Sequence, residues 1–172
     1  MDNIYIFDDF LEDDELSRIN KFILETRWSY GHRNGEREPI DTRYFSDYNI
    51  NSFISDYVRI KIEKVINKPL KIIRNYLQIQ SFGENGGYHT DCDMPNTYTF
   101  TLYITEIDNE TIEHSNGDFL LKLPNVKHIV SIDTYNNRGI VFPSNYLHKG
   151  MAYNINTTKK RIVIAWKFEE IL

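Results

Sequence analysis

The spacing of apolar positions divides this chain into a first part with helical periods and a second part with strand periods. Ile4 to Phe7 reads as a short strand. The acidic cluster Glu12 to Glu15 then opens a helix, since carboxylates suit the positive end of a helix dipole, and Leu16, Ile19, Phe22 and Ile23 mark its buried face. A second helix is expected from about Asn51 to Ile66, with Phe53, Ile54, Tyr57, Ile60 and Val65 near helical spacing, ended by Lys68 and Pro69. Between them Gly31 to Asn49 is polar, rich in Arg, and broken by Gly31, Gly35 and Pro39, so it reads as a loop. A loop of that length in a compact domain points to a functional or mobile segment.

From Leu70 onward the pattern shortens to β-rich runs: Leu70 to Phe82, Tyr98 to Ile104, Phe119 to Leu123, His128 to Ile132, Gly139 to Phe142 and Arg161 to Phe168. Turn signals separate them at Gly83 to Gly87, Asp108 to Gly117, Asn136 to Gly139 and Asn154 to Thr158. Helices followed by many short strands predict an α+β, mainly β protein whose β part is a sandwich or jelly roll. No repeat or linker divides the chain. The expectation is therefore a single domain over 1–172, with a helical part to about 68 and a β part from about 69.

Composition narrows the function classes. At 172 residues the chain can bury one sizeable core without disulfides, and Cys92, its only cysteine, can form none within the chain. A net charge of -5 argues against a protein that wraps nucleic acid, which needs clustered Lys and Arg. The first ten residues carry Asp2, Asp8 and Asp9 and lack the basic and apolar regions of a signal peptide, and no run of about 18 apolar residues is present. A cytoplasmic, reducing location with no membrane association is the expectation.

Chemistry gathers at His89-Thr90-Asp91, which follows the glycine-rich turn Gly83 to Gly87. In a strand, residues two apart share a face, so an imidazole and a carboxylate can reach one metal ion. Alone, the pair is weak and reads more readily as a surface His beside an acid. A set of two His and one carboxylate needs a second His from a distant strand, and His148 follows the apolar strand Gly139 to Phe142 through a Pro turn. His32, His114 and His128 lack such a setting and read as solvated. Arg161 opens Arg161-Ile162-Val163-Ile164-Ala165-Trp166, where alternation puts Arg161, Val163 and Ala165 on one face and Ile162, Ile164 and Trp166 on the other. Its guanidinium suits a carboxylate ligand, and the small neighbours leave room for one. The alternatives are an exposed edge-strand Arg, with Lys160 as the rival cation. Thr99, Thr101, Tyr103 and Thr105 likewise share a face, and their hydroxyls either bond a carboxylate or face water.

These pieces, in this order, resemble the prolyl 4-hydroxylase-like branch of the Fe(II)/2-oxoglutarate dioxygenases: Leu77 to Phe82 leading into Gly87-Tyr88-His89-Thr90-Asp91, then Thr99 to Ile104, Gly117-Asp118-Phe119, Gly139 to Gly150 with His148, and Arg161 to Trp166. Ile6 to Leu11 is similar to the family's entry into its first helix. The likeness departs at Asn116-Gly117-Asp118-Phe119, at Lys149 to Tyr153 after His148, and in the long spacing from His148 to Arg161. It implies a double-stranded β-helix core with the N-terminal helices packed against it. It also implies catalytic metal ligands His89, Asp91 and His148 for Fe(II), 2-oxoglutarate held by Arg161 with Tyr103 adding a hydroxyl, O2 as oxidant and ascorbate as a candidate reductant. The carboxylate ligand favours hydroxylation over halogenation, because halogenating relatives lose it. The implied activity is hydroxylation of an unactivated C–H bond, with a prolyl residue of a peptide or protein as leading substrate. A free amino acid or other small molecule is the alternative, as is a non-catalytic jelly-roll binding module. Arg43, Tyr44 and Tyr88 are the candidate substrate contacts; the segment Gly31 to Asn49, with Arg33 and Arg37, reads as a lid or as a solvated polar loop.

Overall fold

A computed structural model describes residues 4–32, 41–46, 52–107, 111–112, 114–124 and 126–171, with the backbone alone described at 31, 32, 41–46 and 52. The strand β1 (Tyr5–Phe7) leads into helix α1 (Asp13–Glu25), and β2 (Ser29–His32) and β3 (Asp41–Ser46) precede helix α2 (Ser52–Ile66). The β-rich remainder forms β4 (Leu70–Gln80), β5 (Thr97–Ile104), β6 (Phe119–Lys122), β7 (Ile129–Ile132), β8 (Gly139–Pro143), β9 (His148–Gly150) and β10 (Arg161–Glu170). Every strand pairing is antiparallel. Seven strands make a large sheet in the order β1-β8-β5-β10-β4-β3-β2, and three make a small one in the order β7-β6-β9. No helix among the described residues is long and apolar enough to cross a membrane.

The segment expected to be a loop, Gly31 to Asn49, instead contains the whole of β3 and the end of β2. β2 pairs with β3, and β3 extends the large sheet by pairing Tyr44 with Ile79, Phe45 with Gln78 and Ser46 with Leu77. Strands therefore run through the part expected to be helical. The edge of a neighbouring β-strand decides this, because pairing satisfies backbone donors and acceptors that a polar sequence shows no local pattern for. Residues 33–40 and 47–50, with Arg33 and Arg37, lie outside the described residues.

Helix α1 has Asp13, Asp14 and Glu15 in its first turn, as the dipole favours. It buries Ile19 and Ile23, with Leu16 and Phe22 partly buried against the same core. Helix α2 keeps Ile54 and Tyr57 of the expected face on the core but is rotated from the rest of it. Ile54, Val58 and Ile62 are buried, one turn apart, while Phe53 and Ile60 are largely exposed. Both helices cover one face of the large sheet, through Leu77, Phe100, Leu102, Ile164, Trp166 and Phe168. A second cluster, with Tyr103, Phe119, Leu121, Ile140, Phe142 and Val163, fills the space between the two sheets. The large sheet thus has an apolar core on each side, and the second core leaves a polar pocket at one end.

Candidate metal centre

Alternation along β5 and β10 builds the pocket. Opposite-facing neighbours go to the helix-side core, so Thr99, Thr101 and Tyr103, and Arg161, Val163, Ala165 and Lys167, share the other face. The register pairs Val163 with Tyr103 and Gln78, Ala165 with Thr101 and Tyr76, and Arg161 with Gln80. Residues from β4, β5 and β10 line the pocket together with His89, Asp91, His148, Phe119 and Gly150.

His89 and Asp91 lie beyond the turn after β4, and backbone bonds dock them against β9 and the turn that precedes it. His89 and His148 exchange two backbone hydrogen bonds of 3.0 Å, and the Asp91 N–H donates to the Ser144 carbonyl at 2.8 Å. The glycine-rich turn is fixed too: Gly86 N–H donates to Gly150 O, and Asn85 Oδ1 accepts from Ala152 N–H at 2.9 Å. Three side chains consequently converge, with ligand atoms from His89, Asp91 and His148 all within 4.8 Å of one another. His89 Nε2 is 3.7 Å from Asp91 Oδ1, and His148 Nε2 is 3.5 Å from Asp91 Oδ2.

The imidazoles are arranged for coordination. Nδ1 of His89 lies 3.0 Å from the Gly87 carbonyl, and Nδ1 of His148 lies 2.9 Å from the Tyr146 carbonyl. A carbonyl can only accept, so each Nδ1 carries a hydrogen and Nε2 is the nitrogen turned toward Asp91, the arrangement typical of metal-ligating histidines. The Thr99 hydroxyl donates to Asp91 Oδ2 at 2.8 Å, and Lys167 Nζ lies 2.8 Å from Oδ1.

Charge follows from burial. Packed among the rings of Phe119, Phe142 and His89, His148 is pushed down to about 4 by desolvation, against the pull of Asp91. It is therefore neutral, the ligating form, at ordinary pH. Burial opposes ionisation of Asp91, but the surrounding charges of His148, Lys167 and His89 outweigh it and hold the carboxyl below the usual range. With His148 neutral, Lys167 is the cation that sustains the Asp91 charge near neutrality. Two imidazoles and one carboxylate on one side of a pocket form the donor set that suits Fe(II) while leaving coordination positions open.

Farther along the same face Arg161 is buried at 2% exposure, and its ring-facing contact places Cζ 4.8 Å from the centre of Tyr103. Its Nε donates to Gly117 O at 2.8 Å and its Nη1 to Gln80 Oε1. Gly117 has φ +89, and a Cβ there would run into the Tyr153 ring, so the carbonyl that receives Arg161 depends on glycine. Desolvation raises the Tyr103 phenol, against Arg161, which keeps it a protonated donor. Lys160, the rival cation, is exposed.

The structure brings together His89, Asp91, His148, Tyr103 and Arg161. It sets the half-buried Tyr88 elsewhere, with its ring under Lys122 Nζ at 4.0 Å and Lys149 Nζ at 4.9 Å rather than lining the pocket. Arg43 and Tyr44 belong to β3, beside the pocket-lining strand β4, and their side chains lie outside the description. His114 and His128 are exposed. Of the four hydroxyls expected either to bond a carboxylate or to face water, that of Thr99 bonds the Asp91 carboxylate. Lys167 and Gln80 are site residues that the sequence reading lacks; continuing the alternation of β10 two residues past Ala165, and reading Gln78 and Gln80 as a polar face of β4, points to both.

No protein-family model matches the sequence, and no curated protein matches it. Solved structures do match in shape. An oxidoreductase of the 2OG-Fe(II) oxygenase family from Burkholderia pseudomallei aligns at TM-score 0.76 and 12% identity, over 96% of this chain and 84% of that one. A prolyl hydroxylase from Trichoplax adhaerens, in complex with a hypoxia inducible factor peptide, gives 0.67 and 14%, over 96% and 83%. HygX from Streptomyces hygroscopicus, with nickel, 2-oxoglutarate and hygromycin B bound, gives 0.68 and 8%, over 96% and 82%. This chain is similar to each in fold.

Proposed function

We propose that the chain is an Fe(II)- and 2-oxoglutarate-dependent oxygenase that hydroxylates an unactivated C–H bond, with a double-stranded β-helix formed by its two sheets. The observation that carries this is the convergence of His89, Asp91 and His148 at one end of a pocket that has Arg161 buried on its wall. The fold likeness to an oxygenase-family protein and to HygX with nickel and 2-oxoglutarate bound supports the same co-substrate.

His89, Asp91 and His148 would hold the metal. Bound there with the 2-oxo acid, it supplies dioxygen activation coupled to oxidative decarboxylation. The chain's own part is positioning. Arg161 presents a guanidinium, oriented by Gly117 O and Gln80, to the far carboxylate of 2-oxoglutarate. Tyr103, kept protonated by burial, donates a hydrogen bond beside it. Val163, Ala165 and Phe119 make the pocket wall apolar and limit water.

For the substrate we infer a prolyl residue of a peptide or protein, in line with the prolyl hydroxylase likeness and its peptide. Arg43 and Tyr44, on the strand beside β4, and Tyr88, adjacent to His89, are the candidate contacts. The HygX likeness supports a small-molecule substrate as the second reading.

Succinate formation from 2-oxoglutarate, measured in air with added Fe(II) and ascorbate, tests the reaction class. The wild-type chain should turn over, even without substrate, and His89→Ala should stay folded while its Fe(II) affinity falls by about 100-fold or more. Absence of succinate under all conditions favours a binding module. Unchanged metal affinity in His89→Ala rules out the site. Mass spectrometry of peptide and amino-acid libraries, searched for gain of one oxygen atom, separates the two substrate readings.

A further inference from the structure

Strand β10 carries a second cation on the pocket face, at the metal end and away from Arg161. After Arg161, Val163 and Ala165 the alternation brings Lys167 to the same side, opposite Thr99 of β5 and Arg74 of β4. Its ammonium lies 2.8 Å from Asp91 Oδ1 and 3.5 Å from the Asp91 carbonyl, with the Tyr76 ring centre 5.6 Å away. The Lys167 side chain is 13% exposed and that of Asp91 2%, so the pair is largely out of water, where Coulombic interactions are strong. The ion pair Lys68–Glu170 is also short, at 2.6 Å, but touches no candidate ligand. Lys167 instead places a cation on an oxygen of the one carboxylate in the metal centre.

We infer that Lys167 makes a divalent metal and an anionic ligand bind this centre together, opposing a metal that arrives alone and favouring one accompanied by a carboxylate. The inference rests on the oxygenase reading of the same site. Before metal binds, Asp91 and Lys167 balance each other. A divalent cation alone leaves the centre strongly positive, beside an ammonium held in place by the sheet. A 2-oxo diacid, one carboxylate near the metal and the other at Arg161, restores the balance. By linkage, the factor by which the acid tightens metal binding equals the factor by which metal tightens the acid.

Lys167 is not needed simply to aim Asp91. The Asp91 backbone N–H is fixed to Ser144 O, and the Thr99 hydroxyl holds Oδ2. Removing the ammonium therefore leaves the ligand oriented and releases its charge to the metal. A merely structural Lys167 predicts the opposite sign, a looser carboxylate and weaker metal.

The experiment is anaerobic equilibrium dialysis of Mn(II) against the full chain, with and without saturating 2-oxoglutarate. In the wild type the acid should tighten Mn(II) by about tenfold or more. Lys167→Met should bind Mn(II) alone about tenfold more tightly than wild type, with a smaller gain from the acid, while Lys167→Arg keeps the wild-type pattern. Should Lys167→Met melt early, Lys167→Gln removes the charge and keeps a donor toward Asp91, and it carries the same expectation. A neutral variant that binds Mn(II) alone no more tightly than wild type, or that retains the full coupling, overturns the inference and leaves the oxygenase reading standing. A wild-type chain that binds no divalent cation overturns that reading, and this inference with it.

Discussion

The two faces of the large sheet are built from the same strands and each carries an apolar core, but only one of them also buries polar and charged groups. On the helix side, Phe100, Leu102, Ile164 and Trp166 are fully buried among the residues of α1 and α2. On the pocket side, their immediate neighbours Thr99, Thr101, Tyr103, Arg161 and Lys167 are also buried or nearly so, yet polar. Burial therefore does not distinguish the faces. What differs is that every polar group named on the pocket side has a partner, Thr99 and Lys167 on Asp91, Arg161 on Gln80 and Gly117, Tyr103 accepting from Thr101. One face holds the sheet in the fold, and the other holds donors and charges at fixed positions, a division that a period of two makes possible.

That division can be broken most forcefully from the apolar side. Trp166 is fully buried, stacks near Phe100 at 5.6 Å and donates Nε1–H to Ser55 Oγ at 3.1 Å. Trp166→Ala should lower unfolding free energy by about 3–5 kcal/mol, through lost burial and the cavity left behind. Denaturant titration reads this directly. If the faces are separate, the residual folded fraction of Trp166→Ala should still bind Mn(II) with near wild-type affinity; a parallel collapse of metal affinity would show that the site depends on the helix-side core.

A smaller effect comes from the pocket side and depends on pH. Folding lowers His148 from 6.5 to about 4, so between those values the unfolded chain binds a proton that the folded chain does not. Stability of the metal-free protein is then full above pH 6.5 and declines as pH falls toward 4, by roughly 3 kcal/mol over the window. Below it, protonation of Asp91, whose carboxyl is also held low, adds loss in the same direction. His148→Phe, which suits the Phe119 and Phe142 surroundings, should flatten the decline between pH 6.5 and 4 in melts taken across pH. An equally steep slope in that variant would assign the titration elsewhere.

The same comparison explains how much could be read from the residues alone. Alternation in Tyr98 to Thr105 and Arg161 to Trp166 is legible because each residue type states its face, and the observed sides are those expected. His148 was legible as the end of an apolar strand, although β9 itself, three residues long, is too short to show a period. In α2 the apolar residues nearly encircle the helix, so the sequence alone marks Ile54 but also favours Phe53 and Ile60, where packing buries Val58 and Ile62 instead. β3 was hidden because Asp41 to Ser46 is bounded by polar, Arg-rich chain, though Thr42, Tyr44 and Phe45 are strand formers. Lys167 was missed because a lysine near the end of a strand ordinarily reaches water; only the register that sets it opposite Thr99 brings it to Asp91.

The finest division lies within the pocket face itself, between the metal end and the Arg161 end, and Gly150 lies against the latter. A Cβ built on Gly150 would stand 2.7 Å from Arg161 Nη1 and 3.0 Å from Cζ and Nη2. Gly150 does not need glycine for its backbone angle, so the constraint is space alone. The guanidinium is the end of a flexible side chain, but Gln80 and Gly117 O hold it and it is buried, so it cannot retreat into solvent. Gly150→Ala should cost about 1–3 kcal/mol in stability as an overpacked site. It should also weaken 2-oxoglutarate about tenfold, a shift of about 1.4 kcal/mol, by turning the guanidinium off its line. His148 is two residues away and is fixed by its own bonds to His89 and Tyr146 O, so Mn(II) affinity without the acid should change less than about twofold. Calorimetric titrations of Mn(II), then of 2-oxoglutarate, separate the two effects. Equal losses for both ligands would mean that the two ends of the pocket move as one, and a loss confined to Mn(II) would remove Arg161 from the co-substrate's side of the site.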